Sequence, residues 1–164
     1  MKKLLFFLLI TINSLFASDW YGSVLGGVGK SNHEVSTYKP LVGKTASYKE
    51  ETNLFYFVYK IGYVTDNNNN LEICLGDNET FFNHIFRWKK RKFWFDVGYG
   101  IGFYEIDTYN NFFGGKILTG IEYEFHKNWS VVGFLNYLTG INTTLNVGAV
   151  DKSYLFKMGI KYQF

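Results

Sequence analysis

Proline and cysteine each occur once in the 164 residues, and charge is scarce, with Asp, Glu, Lys and Arg together at 19%. Ordinary globular chains carry about 25% charged residues. The one cysteine, Cys74, and three histidines, His33, His84 and His126, fall on separate segments, a distribution that builds no metal site. Cys74 reads as a buried free thiol, or in an oxidising compartment as one half of an intermolecular disulfide. No linker, repeat or low-complexity tract divides the chain, which excludes a multidomain reading. The segment Leu4 to Ile12, nine residues rich in Leu, Phe and Ile, is too short for a membrane helix that needs about 20. No later stretch has a helical period.

Aromatic residues are abundant instead. Phe, Trp and Tyr reach 21% and the hydrophobic fraction 47%, yet the mean hydropathy is only −0.08. Apolar and polar residues must therefore be interleaved.

The first segment is set aside. Met1-Lys2-Lys3, the apolar run and Ser14-Leu15-Phe16-Ala17 have the order of a secretory signal peptide, giving 1–17 as signal and 18–164 as the mature domain. Cys74 lies far from the cut, so the lipoprotein variant of the signal fails. Removing seventeen of the 164 residues leaves 147, and losing Lys2 and Lys3 lowers the formal charge from +3 to +1. Nucleic acid is therefore not an expected partner.

The mature part alternates. From Ser153 to Phe164, Tyr154, Phe156, Met158, Ile160, Tyr162 and Phe164 share one parity. The same period of two runs through Phe93–Glu105, Phe113–Phe125 and Phe55–Tyr63. The opposite parity mixes glycine with charge of both signs. It holds Lys60, Arg87, Lys116, Lys157 and Lys161 with Glu72, Asp96, Glu122 and Glu124. Small residues and balanced charge describe a narrow lumen, and an apolar outside with a polar inside marks a transmembrane β-barrel. The fold expected is all-β: an eight-stranded antiparallel up-and-down barrel, with strands near 19–30, 53–63, 70–76, 81–89, 93–105, 113–125, 129–138 and 153–164. Short turns fall at 64–69, 89–92 and 126–128. Longer connections fall at 31–51, which holds Pro40, and at 76–80, 106–111 and 139–152. The inward charges are expected to pair and to plug the barrel.

The ending Lys157-Met158-Gly159-Ile160-Lys161-Tyr162-Gln163-Phe164 resembles the insertion signal of Gram-negative outer-membrane proteins. The run Gly120 to Ser130 is similar to the strand, tight turn and returning strand of the small eight-stranded barrels, the OmpX, OmpA membrane-domain and opacity-like proteins. The resemblance implies an integral location in the bacterial outer membrane. It also implies contact with its lipid and lipopolysaccharide, and recognition of Phe164 and Tyr162 by the barrel-insertion machinery. Function follows weakly from such a fold. The leading expectation is a scaffold for envelope integrity or adhesion, with 31–51 as the element that would meet a host or cell-surface ligand. The alternatives are a narrow porin-like channel and a lipid A deacylase-like enzyme.

The enzyme reading is disfavoured. The deacylase barrels carry a His-x-Ser pair on the penultimate strand, where this chain has Asn136-Tyr137-Leu138, so a hydrolase triad cannot be assembled there. His126, in a turn with Ser130 four residues on, is a poor substitute. The glycine groups at 26–29 and 98–102 open no helix and precede no Lys-Ser/Thr, so they are no phosphate cradle. No cofactor, metal or catalytic residue is expected.

Overall fold

A computed structural model describes residues 19–39, 43–65, 68–106, 111–142 and 147–164. Eight strands run β1 (Trp20–Lys39), β2 (Gly43–Val64), β3 (Asn69–Gly76), β4 (Glu79–Lys90), β5 (Phe93–Glu105), β6 (Asn111–His126), β7 (Trp129–Asn142) and β8 (Val147–Gln163). Each pairs antiparallel with the next, and β8 returns to β1, closing an eight-stranded barrel. The segment read as a signal peptide, Pro40, and the centres of the 106–111 and 139–152 connections lie outside the described residues.

Alternation sets the two surfaces. Outward positions carry Phe55, Phe57 and Tyr59 on β2, Tyr99, Ile101 and Phe103 on β5, and Tyr154, Phe156, Met158 and Ile160 on β8, all exposed on the barrel wall. In water this would be a continuous apolar surface, but against hydrocarbon it is the favourable one. Aromatic rings gather at the end that holds the termini, as Trp20–Tyr63, Phe93–Tyr123 and Trp129–Tyr162 contacts of 5.3, 5.0 and 4.8 Å between centroids. A second set, Phe103–Phe113 and Tyr137–Tyr154, at 5.0 and 5.1 Å, stands toward the other end. The wall between them mixes aliphatic residues with further rings such as Phe82, Phe86 and Tyr99, and aromatic rings at both ends of an apolar belt are a feature of membrane barrels.

The short turns are at the termini end. The β4–β5 connection is Arg91-Lys92, with Lys90 paired to Phe93 and Arg91 at φ 60°. A positive φ at the first central residue suits the twist of a two-residue hairpin, though glycine is the usual occupant. Asn68, at φ 56° beside β3, is of a type that tolerates the left-handed region.

The expected 31–51 connection is replaced by strand. β1 and β2, 20 and 22 residues long, stay paired from Trp20–Tyr63 to Lys39–Gly43, while β3 has 8 residues and pairs only with Val58–Val64 of β2. A two-stranded extension with β8 alongside therefore stands beyond the barrel wall. The sequence signal stops near Lys30 because the outward positions beyond it, Asn32, Glu34, Glu51 and Asn53, are polar. Alternation marks the membrane belt, and a strand that continues past the belt loses it. The expected 76–80 connection likewise shrinks to Asp77-Asn78, with β4 starting at Glu79.

Candidate functional site

Among the described residues, buried charge is concentrated in the lumen. Ten side chains that carry a formal charge are buried there among the described residues: Lys60, Arg87, Lys116, Lys157 and Lys161 with Glu72, Glu79, Asp96, Glu122 and Asp151. Five cations face five carboxylates. Isolated buried charge is prohibitively costly, so the placement of each partner decides whether the fold is tenable.

Toward the termini end Arg87 is the hub. Its Nε donates to Asp96 Oδ1 at 3.1 Å and its Nη2 to Glu122 Oε2 at 2.5 Å, while Lys161 Nζ reaches the same Glu122 oxygen at 2.8 Å. Arg87 and Asp96 are directly opposed across β4 and β5, and Glu122 and Lys161 come from β6 and β8. Lys60 and Glu72 form the next pair, 3.0 Å apart, with Glu72 also accepting from Asn83 Nδ2 at 2.8 Å and from Tyr21 Oη at 3.0 Å. Tyr21 joins the two groups, since Lys161 Nζ lies 4.0 Å over its ring. Farther along, Glu79 holds Lys157 in a direct hydrogen bond and Lys116 at 3.8 Å, and it accepts from Cys74 Sγ at 2.9 Å. At the hairpin end Asp151 accepts from Ser31, Ser153 and Tyr104 at 2.6, 2.6 and 2.7 Å.

Every buried cation also faces an aromatic ring. Lys60 lies over Phe134 at 3.9 Å, Lys116 over Phe81 at 4.1 Å, Arg87 over Trp94 at 4.4 Å and Lys157 over Tyr56 at 5.1 Å, besides Lys161 on Tyr21. A desolvated cation on a ring face gains about 2 kcal/mol or more. Such contacts cost no second carboxylate. Two apolar clusters fill what remains: Leu25, Ile85, Leu118, Val132 and Phe134 in one, and a larger group around Phe81, Tyr104, Phe112, Leu138 and Leu155 in the other.

The inward glycines make room for these bulky groups. A Cβ at Gly62 would strike the Tyr21 ring and one at Gly120 the Phe134 ring, each across its register partner. These large rings lie flat over the neighbouring strand, which a side chain there would forbid. One small cavity, of about 10 Å³, is lined by Tyr21, Ser23, Asn70, Glu72, Asp96 and Glu122. That is room for about one water, and Asn70 Oδ1, without a protein partner, lines it.

Eight of the nine charges read as inward are placed inside. Glu124 is different: it sits half-exposed at the termini rim, accepting from Lys89 Nζ at 2.7 Å and from the Trp94 indole. Its parity is inward, but it lies two residues from the end of β6, where the lumen meets solvent. Glu79 and Asp151 take up the balance, and sequence reasoning missed both because it placed them in connections. Extending the parity of Arg87 back through Asn83 and Phe81 leads to Glu79, and that of Lys157 through Ser153 leads to Asp151. Cys74 is buried and free. Asn136 and Leu138 point into the barrel, both buried, away from any lipid substrate on the wall. Tyr162 packs edge-on against Phe164 at 5.0 Å. Phe164 N donates to Trp20 O at 3.0 Å, so the terminal residue fastens the β8–β1 seam. Among the described residues no group of three or more His, Cys, Asp and Glu is arranged to hold a metal.

No protein-family model matches this sequence, and no curated protein matches it. Among solved structures, Neisserial surface protein A is 13% identical with a TM-score of 0.49, covering 86% of this chain and 97% of its own. The attachment invasion locus protein Ail of Yersinia pestis is 13% identical with a TM-score of 0.29, covering 86% and 99%. The outer membrane protease OmpT of Escherichia coli is 8% identical with a TM-score of 0.55 over 89% of this chain and 97% of its own. At such identity the likeness is one of fold. The chain is a closed, eight-stranded antiparallel meander with the architecture of outer-membrane β-barrels.

Proposed function

We propose that this chain is an integral outer-membrane barrel that acts as a non-conducting scaffold, holding the β1–β2 extension out as a surface-interaction element. The observation that carries it is the filled lumen: five cations and five carboxylates are buried inside. Beside them, one cavity at the level of Glu72 and Glu122 has a volume of about 10 Å³. An eight-stranded barrel is just wide enough for side chains to fill, and four ion-paired carboxylates, Asp151 held by three hydroxyls, and two apolar clusters fill it. The role needs no catalytic group, in keeping with the inward Asn136 and Leu138. The 1–17 segment would direct export, residues 31–51 would meet a host or neighbouring cell surface, and lipid and lipopolysaccharide would surround the belt.

Fractionation tests the reading. The mature protein is expected in the outer-membrane fraction, running faster on a gel unboiled than boiled, because a closed barrel resists detergent until heated. Recovery from the soluble periplasm, or no mobility change on heating, would overturn it.

Phe164 and Tyr162 supply the proposed contact with the insertion machinery. Deleting Phe164 is expected to lower the inserted amount several-fold in cells while purified protein still refolds in detergent, since the register of β8 with β1 runs from Thr37–Val147 to Tyr21–Gln163 without it. Unchanged insertion, or loss of refolding in detergent as well, would assign Phe164 to the seam alone.

A further inference from the structure

We propose that the outer wall between β6 and β1 binds one acyl lipid whose headgroup is a phosphate monoester with net negative charge, uncompensated by a headgroup cation, a reading that rests on the barrel's placement in an outer membrane. A groove of about 530 Å³ runs over this face, lined by Val28, Lys30, Leu135, Tyr137, Tyr154 and Phe156 among others. Its size is that of a pocket for a small amphiphile.

The register orders its chemistry. Val28, Phe156, Leu135 and Thr119 form one row across β1, β8, β7 and β6, and Lys30, Tyr154, Tyr137 and Ile117 form the next row toward the hairpin end. Beyond that stand Asn32, Lys152 and Thr139. In the other direction, toward the middle of the belt, the row is Gly26, Met158 and Gly133. An added Cβ at either of these two glycines would meet nothing within 4 Å. The wall is thus lowered on both sides of Met158, and the groove continues as an apolar track into the belt. Along one line the surface passes from aliphatic track to tyrosine hydroxyls to lysine. That is the order of chain, interface and headgroup in an amphiphile.

Charge selects the headgroup. Lys30 is matched by Glu51 on the β2 side at 2.5 Å. One row beyond Asn32, Glu34 stands opposite Lys49 of β2, so that exposed carboxylate has its own lysine across the register, and Lys152, exposed on the same outward face one row above Tyr154, supplies the surplus positive charge beside the groove's polar end. A phosphate there meets one matched and one surplus lysine, and its acyl chain follows the track past Met158.

The test is native mass spectrometry of the folded, detergent-released barrel loaded with phosphatidic acid or phosphatidylcholine of the same chains. Retention of one phosphatidic acid in preference to phosphatidylcholine is expected. Lys152→Ala should lower that preference about fivefold, the effect of roughly 1 kcal/mol for one lysine at a membrane surface. Gly133→Phe, at a position where an added Cβ meets nothing within 4 Å, should lower retention of both lipids. Lys127→Ala, an exposed lysine at the other end, should change neither. Equal retention of the two lipids, equal effects of the Lys152 and Lys127 variants, or displacement of the lipid by inorganic phosphate would overturn the site. The heat-dependent gel shift is read on every sample. A protein without that shift counts against the barrel reading, whereas a folded barrel without selectivity counts against the lipid site alone.

Discussion

Replacing Glu122 with alanine is expected to lower the unfolding midpoint in detergent by far more than replacing Glu51, although both carboxylates are ion-paired. Glu122 holds Arg87 at 2.5 Å and Lys161 at 2.8 Å with side chains at most 5% exposed. Without it Arg87 keeps Asp96, but Lys161 is left in the lumen with no direct carboxylate. Breaking a buried pair from one side typically costs about 3–5 kcal/mol, because the remaining charge stays desolvated and uncompensated. Glu51 meets Lys30 at 2.5 Å with side chains 65% and 54% exposed, and pairs in water are worth about 1 kcal/mol or less. Lys157→Ala should resemble Glu122→Ala, since Glu79 would retain the Cys74 thiol and Lys116 at 3.8 Å. A double variant, Glu122→Gln with Lys161→Gln, should be milder than Glu122→Ala because no unmatched charge remains. Urea titrations of the four variants decide the point, and equal, small shifts for lumen and surface substitutions would show that the lumen is hydrated.

The legible parts of this fold are those where two environments alternate along the chain. In β5 and β8 hydrocarbon on one side and a crowded lumen on the other force a period of two over 13 and 17 residues, and both strands stand out in the sequence. The β1–β2 extension is equally regular as backbone but has polar residues on its outward face, so no contrast reveals it. The same limit hid Glu79 and Asp151, at the lumen ends of strands whose apolar outward partners had run out. The signs of the inward charges could be read from parity. Which carboxylate meets which cation could not, because the partners come from strands as distant as β4, β6 and β8 and depend on the closed register. Nor does any pattern foretell that each cation rests on a ring.

The wild-type barrel is expected to carry little steady current in planar bilayers, and the order in which variants open it follows from the plugs standing in series. A solute entering from the termini end meets Arg87, Asp96, Glu122 and Lys161 first, then the Lys60–Glu72 pair with Asn83 and Tyr21. It then meets Glu79 with Lys116 and Lys157, and last the aromatic stack of Phe81, Tyr104 and Phe112 over Asp151. Conductance through constrictions in series is set by the narrowest, so removing one group leaves the others closed. Glu122→Ala and Lys157→Ala should therefore each add only brief, small openings. The two together, which loosen both ends of the ion-paired stretch, should conduct more than the sum of the singles. The aromatic stack remains as a final restriction, so Tyr104→Ala added to the pair should raise the current again and also strip the ring and one of three hydroxyl donors from Asp151, which Ser31 and Ser153 continue to hold. Cations should then be favoured over anions, since the newly uncovered charge is negative. Single-channel recordings at matched protein amounts test this sequence. Large, stable channels from the wild-type protein, or full conductance from one single variant, would mean that these charges line an open water path.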